Sequence, residues 1–211
     1  IVVYNGVDYD PWMRALLKGS PSSMRLEIVV GDLLGRKAGV NPHQWYDPAT
    51  IPLVAKALTS ALSKADPANE ADYQARLRFF DASLSPIAAK IESIRKAHTG
   101  ISVTATEPVF GYMVAALGFK MRNERLQLAV MNDTEPSARD VAAFENDLKT
   151  HKVSILFYNQ QASSAAAKYL LKIAIAAHVP VVGVTETEPA GATYQSWMLG
   201  QLDAVEKALR P

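Results

Sequence analysis

From Gly100 onward the chain alternates short apolar runs with amphipathic segments, and that alternation leaves few folds open. Residues 101–105, 126–130, 153–158 and 179–184 read as strands. Residues 109–117, 137–150, 163–177 and 194–209 carry helical spacing. Pro136 stands just ahead of the 137–150 segment and Asp140 falls in its first turns, both helix-start signals. Strands that read apolar along their whole length belong inside a parallel sheet, covered by helices on both faces. The expected fold class is therefore α/β, with parallel sheets flanked by helices.

The first part of the chain shows the same grammar in shorter form. Residues 1–4 and 26–30 read as strands, and 11–18 as a helix with Pro11 in its first turn. Ile51, Val54, Ala55, Leu58 and Leu62 give 48–64 a helical stripe that stops near Asp66-Pro67. From 69 to 98 runs the longest helical pattern, with Tyr73, Leu77, Phe80, Leu84, Ile87, Ile91 and Ile94 at three- and four-residue steps. About 30 residues at 1.5 Å each span roughly 45 Å, more than a small lobe is wide. The helix is expected to run along the side of the molecule and join two lobes, bending or breaking at Pro86 and stopping at Gly100. The expected organisation is an incomplete N-terminal α/β lobe over 1–66, a linker helix over 67–100, and a C-terminal α/β lobe over 101–211. The opening Ile1-Val2-Val3-Tyr4-Asn5-Gly6 starts in mid-strand, so an upstream segment is expected to be missing.

Bulk composition narrows the function. A hydrophobic content of 49% against 20% charged residues supports a buried core rather than disorder. The net charge of +1, without a basic run, gives nucleic acid or an anionic membrane surface nothing to grip. No apolar run reaches the roughly 18 residues of a membrane span, so no direct membrane insertion is expected. No signal peptide is recognisable. The absence of cysteine excludes a disulfide framework and a thiolate metal site, and is compatible with export.

Within this frame, Asn41-Pro42-His43-Gln44-Trp45-Tyr46-Asp47-Pro48 draws attention first. Two prolines and an aromatic pair hold a histidine on a stiff loop, which is how a ligand residue is presented. Glu107 follows the 101–105 strand and Glu186 follows the 179–184 strand, each in a proline-constrained loop. Ligands of open α/β sheets collect at such carboxyl ends. Each carboxylate also has a plainer explanation. Glu107 at a helix start is favoured by the helix dipole, and Glu186 reads equally as a solvated loop residue, with Glu188 as eligible. His98 sits at a helix C-terminus, and His151 and His178 sit in turns at the opposite end of the sheet, where a structural role suffices. Asn5 and Tyr4 lie at another strand end and are candidates to line the same cleft. Imidazole with hard carboxylate oxygens suits Mn²⁺, Fe²⁺ or Zn²⁺.

The ordered set Tyr-Asn-Gly, Asn-Pro-His-Gln-Trp-Tyr-Asp-Pro, a long connecting helix, Thr-Glu-Pro-Val-Phe-Gly-Tyr, Thr-Glu-Thr and Thr-Tyr-Gln-Ser-Trp-Met resembles the solute-binding proteins of zinc and manganese ABC transporters. The resemblance covers essentially the whole chain. It implies two α/β lobes joined by one long rigid helix, with a metal bound between them. His43 falls on the family's Asp-Pro-His-x-Trp histidine, Glu107 on the third ligand position, and Glu186 on the fourth, where aspartate is usual. The family's first histidine lies upstream of the Tyr-Asn-Gly strand and has no counterpart here. The resemblance further implies a periplasmic or extracytoplasmic location and an ABC permease as partner.

The expected function is capture of a divalent transition metal, Mn²⁺ or Zn²⁺, as transported ligand, with no bond made or broken. His43, Glu107 and Glu186 are the expected ligands. Asn5, Trp45, Phe110 and Tyr112 are expected to line the cleft and hold the ligand loops, with core packing an equal explanation for Phe110. Two alternatives stand beside this reading. One is a binder of a metal chelate, such as a siderophore or corrin, in the same cleft. The other is a metal-assisted hydrolase with Glu107 as general base, against which stands the absence of a nucleophile elbow, a phosphate-binding glycine loop and a paired-histidine motif.

Overall fold

The computed structural model describes residues 1–162 and 164–210, and the chain divides into two compact units, Ile1–Ser85 and Pro86–Pro211. In the first, β1 (Val2–Tyr4) pairs in parallel with β2 (Glu27–Val29), in the register Val2↔Glu27 to Tyr4↔Val29. Between them lies α1 (Pro11–Gly19), with proline in its first turn as expected. The short α2 (Val30–Leu33) follows β2 directly. A loop then leads through a 3₁₀ turn, Gln44–Tyr46, into α3 (Thr50–Ala65), whose C-cap is Asp66. A second 3₁₀ turn, Pro67–Asn69, opens α4 (Glu70–Ser83). Tyr73 in α4 donates its hydroxyl to the Asp66 carboxylate at 2.9 Å and so fastens α4 to the end of α3.

The long helical pattern forms nearly as read, from Pro67 to His98, with one interruption. Leu84 bonds back to Asp81 in a tightened turn, and α5 (Ser85–His98) begins after it. Pro86 explains the place of the break. It has no N–H for the Ala82 carbonyl, and its ring crowds that same carbonyl. The boundary between the two units falls here.

The second unit carries a parallel four-stranded sheet flanked by helices. After β3 (Ser102–Ala105) come a 3₁₀ turn, Pro108–Phe110, and α6 (Gly111–Ala116). Then follow β4 (Lys120–Met121), α7 (Glu124–Met131) and α8 (Ala138–Lys149). The chain returns as β5 (Leu156–Asn159), α9 (Ala165–Ala176), β6 (Val181–Val184) and α10 (Tyr194–Ala208). The expected first residue of α9, Ser163, lies outside the described residues, as does Pro211. Side chains of Ser137, Ser164 and Thr193 accept backbone N–H groups at the starts of α8, α9 and α10, which fixes where each helix begins.

One strand expectation is overturned. Residues 126–130 are not a strand but part of α7, and the second strand of this unit is β4. Leu126, Leu128 and Val130 alternate like a strand, yet Leu126 and Val130 are also one helical turn apart. Those two are buried with Phe144 and Leu148 of α8, while Leu128 is 41% exposed. Packing on one helical face, not alternation, decides the element.

Strand order is β4-β3-β5-β6. The chain steps outward from β3 to β4, then crosses back to β5, so the direction of winding reverses between β3 and β5. In open α/β sheets the crevice at the carboxyl ends of two such strands is where ligands bind.

Candidate metal site

His43 is 3% exposed and stands at the head of the Gln44–Tyr46 turn. Its ring Nδ1 lies 2.7 Å from Asn41 Oδ1, which also accepts the His43 backbone N–H at 3.1 Å. An amide oxygen only accepts, so Nδ1 donates in this bond, and in the neutral ring the lone pair then lies on Nε2. That is the tautomer a metal-ligating imidazole adopts when its other nitrogen is held by an outer acceptor. Pro42 and Pro48 stiffen the loop on both sides. Asp47 pins its far end, ion-paired with Arg36 and accepting the Ala49 N–H at 3.0 Å.

The loop is also tied to the end of β1. Fully buried Gln44 donates Nε2 to the Asn5 carbonyl at 3.0 Å, and the same carbonyl takes the Gly31 N–H at 2.9 Å. Asn5 thus acts through its backbone. Trp45 stands edge-on to His43 with ring centres 5.4 Å apart, and Tyr9 packs edge-on against Trp45 at 4.8 Å.

In the second unit, Glu107 follows β3 in extended conformation and is half-buried. Its Oε2 accepts Asn159 Nδ2 at 2.9 Å. Asn159 is the last residue of β5 and is 3% exposed, so the bond spans the carboxyl ends of β3 and β5, where the winding reverses. Asn159 Oδ1 accepts the Gln161 N–H at 3.1 Å. The Gln161 side chain in turn exchanges two bonds with Thr187, at 2.9 and 2.8 Å. This chain of amides connects the Glu107 loop to the loop that carries Glu186.

Glu186 lies two residues beyond β6 and is half-buried, whereas Glu188 is exposed. Its neighbour Thr185 is held twice: the backbone N–H donates to Gln201 Oε1 at 3.3 Å, and Oγ1 accepts Trp197 Nε1 at 2.8 Å. Both flanks of Glu186 are therefore fixed by α10 and by Gln161. Phe110 is 1% exposed with its ring 4.9 Å from that of Phe157, which is core packing; Tyr112 is half-buried on α6.

The other histidines occupy the expected turns. His98 ends α5. His151 and His178 take left-handed φ of 51° and 54° just past α8 and α9, on the side of the sheet where β5 and β6 begin. Among the described residues, no three or more His, Asp and Glu side chains gather into a group that could hold a metal ion. His43 belongs to the first unit, Glu107 and Glu186 to the second. The supporting Asn41, Asn159, Gln161 and Tyr9 were not assigned from sequence; a short polar side chain at a strand end reads as an ordinary turn residue.

The family described as ZnuA, zinc-uptake complex component A periplasmic, matches residues 1–208. The chain belongs to this family. A zinc-binding protein AdcA of Streptococcus pyogenes is 29% identical over 81% of this chain and 33% of its own length. The high-affinity zinc uptake system protein ZnuA of Bacillus subtilis is 26% identical over 81% of this chain and 54% of its own. This ZnuA-family chain thus spans from a third to about half the length of those two relatives. The periplasmic zinc binding protein TroA of Treponema pallidum shares the fold, with a TM-score of 0.78 at 19% identity over 99% of this chain and 80% of that one. The expected fold class and the resemblance to metal ABC solute-binding proteins are borne out. The ZnuA family is a transport family rather than an enzyme family. No helix among the described residues is long and apolar enough to cross a membrane.

Proposed function

We propose that this chain captures a divalent transition metal ion, Mn²⁺ or Zn²⁺, outside the cytoplasmic membrane and hands it to an ABC permease. The proposed ligands are His43 through Nε2, Glu107 and Glu186. The observation that carries the reading is the buried His43 imidazole, whose Nδ1 is taken by Asn41 in the manner of a ligating histidine. Glu107, at the point where the sheet's winding reverses, supports it. Trp45 and Tyr112 keep water from the ligand loops. Nothing in the chemistry requires a reacting substrate; the metal is cargo. Two carboxylates favour Mn²⁺ by oxygen preference, while Zn²⁺ stands higher in intrinsic affinity.

Native mass spectrometry with Zn²⁺ and Mn²⁺ tests this directly. One ion per chain is expected, with His43→Ala, Glu107→Ala and Glu186→Ala each weakening retention. No ion on the chain at micromolar metal overturns the reading. Delivery is tested by adding the metal-loaded chain to its permease in liposomes, where uptake of the ion is expected; uptake unaffected by the chain overturns that part.

A further inference from the structure

The turn after β1 is built against local preference. Gly6, Val7 and Asp8 are three successive left-handed residues, with φ of 68°, 53° and 62°. Glycine adopts this conformation without strain, but valine is β-branched and rarely found there. Such residues are strained and persist only where the surroundings over-determine them. Two of them stand side by side here.

The surroundings that hold the turn are identifiable. Asp10 stands at the N-cap of α1 yet makes no side-chain bond to that helix. Its buried carboxylate instead accepts the Asn5 N–H at 2.7 Å and the Gly6 N–H at 2.8 Å. Tyr9 closes the turn by donating its N–H to the Gly6 carbonyl at 3.0 Å. Val7 is buried over Gly31, where any side chain would collide with it. Helix capping is forgone and backbone strain is accepted, and the visible product is the placement of Tyr9.

Tyr9 sits edge-on to both rings of the histidine loop, 4.8 Å from Trp45 at 69° and 6.3 Å from His43 at 65°. Trp45 and His43 are themselves edge-on at 74°. The bond to Asn41 sets the turn of the imidazole about its Cβ–Cγ bond, and the two aromatic rings pack against the imidazole in that orientation. Aromatic rings favour such edge-to-face arrangements over face-to-face stacking.

We propose that Tyr9 is a positioning residue for His43, and that the left-handed turn tied by Asp10 is the device that presents it. This rests on the reading of His43 as a metal ligand, where the direction of Nε2 decides affinity. The test compares Tyr9→Phe with Tyr9→Leu and Tyr9→Met, using His43→Ala as control. Zn²⁺ affinity is read by competition with a chelating indicator, and the His43 tautomer by ¹⁵N NMR of the metal-free chain. Tyr9→Phe is expected to keep both, while Tyr9→Leu and Tyr9→Met weaken Zn²⁺ binding about tenfold and broaden or mix the His43 tautomer signals. Circular dichroism identifies any variant that fails to fold, and the remaining one then decides. Unchanged affinity and unchanged His43 signals in a folded Leu or Met variant overturn the proposal. If His43→Ala binds Zn²⁺ like the parent, the ligand reading fails by itself, and the NMR comparison still decides whether Tyr9 positions the ring.

Discussion

Asn41 Oδ1 accepts two hydrogen bonds from His43, one from the ring Nδ1 at 2.7 Å and one from the backbone N–H at 3.1 Å. One side-chain atom therefore sets both the tautomer of the imidazole and the local path of the chain that carries it. Replacing it separates those effects from ligation itself. On the proposed ligand role of His43, Asn41→Ala is expected to lower metal affinity about 10–100-fold, the usual cost of losing an outer partner of a ligating histidine. Isothermal titration with Zn²⁺ measures it, and an affinity equal to the parent's contradicts it.

Asn159 plays the corresponding part for Glu107, donating Nδ2 to Oε2 at 2.9 Å. Asn159→Ala removes that donor and the Oδ1 that anchors Gln161. The expected result is about tenfold weaker metal binding. Combining it with Glu107→Ala is expected to add little, because the two residues act as a unit. Full additivity in the double variant contradicts that coupling.

Acid stability has an identifiable source in the second unit. Burial by itself pushes the Asp147 carboxyl up, but hydrogen bonds from Arg122 and Asn123 outweigh it and hold the group below its ordinary value. Because the folded-state value lies below the unfolded one of about 3.9, the stabilisation is complete above that pH and is lost as pH falls through the folded value. Arg122→Ala is expected to cost about 2 kcal/mol at neutral pH and to flatten the loss of stability below about pH 4. Urea denaturation at pH 7, 4 and 3 measures both. Parallel curves for parent and variant contradict the assignment.

His151 and His178 give the opposite control. Each holds a left-handed φ past the end of a helix, the position where glycine is preferred. His151→Gly is expected to raise stability by about 1 kcal/mol, since the left-handed conformation disfavours a side chain, and to leave metal affinity unchanged. Weakened Zn²⁺ binding in this variant would assign His151 a role the structure does not give it.

Much of the architecture was legible in the chain because burial and periodicity agree. β6 is a continuous apolar run, β5 is apolar up to its closing Asn159, and the helical stripe from Tyr73 to Ile94 repeats without ambiguity. Misreading 126–130 has a physical cause. Leu126 and Val130 satisfy both the strand and the helix period, and the tie is broken by tertiary contacts with Phe144 and Leu148. β4, at two residues, is too short to show any period. In the candidate site, prolines advertised the His43 loop, and strand ends advertised Glu107 and Glu186. The groups that orient them did not announce themselves. Nothing local marks Val7 for a left-handed φ, and Asp10 reads as an ordinary N-cap until its carboxylate is seen to face Asn5 and Gly6.

The central claim is that His43 and the two glutamates ligate one ion, and X-ray absorption at the zinc edge examines it at the metal itself. The Zn²⁺-loaded chain is expected to show nitrogen and oxygen neighbours at about 2.0–2.2 Å, with the outer-shell scattering of an imidazole. That imidazole signal is expected to vanish in His43→Ala. A spectrum without imidazole scattering in the parent chain, or one that His43→Ala leaves unchanged, would contradict the assignment of His43 as a ligand.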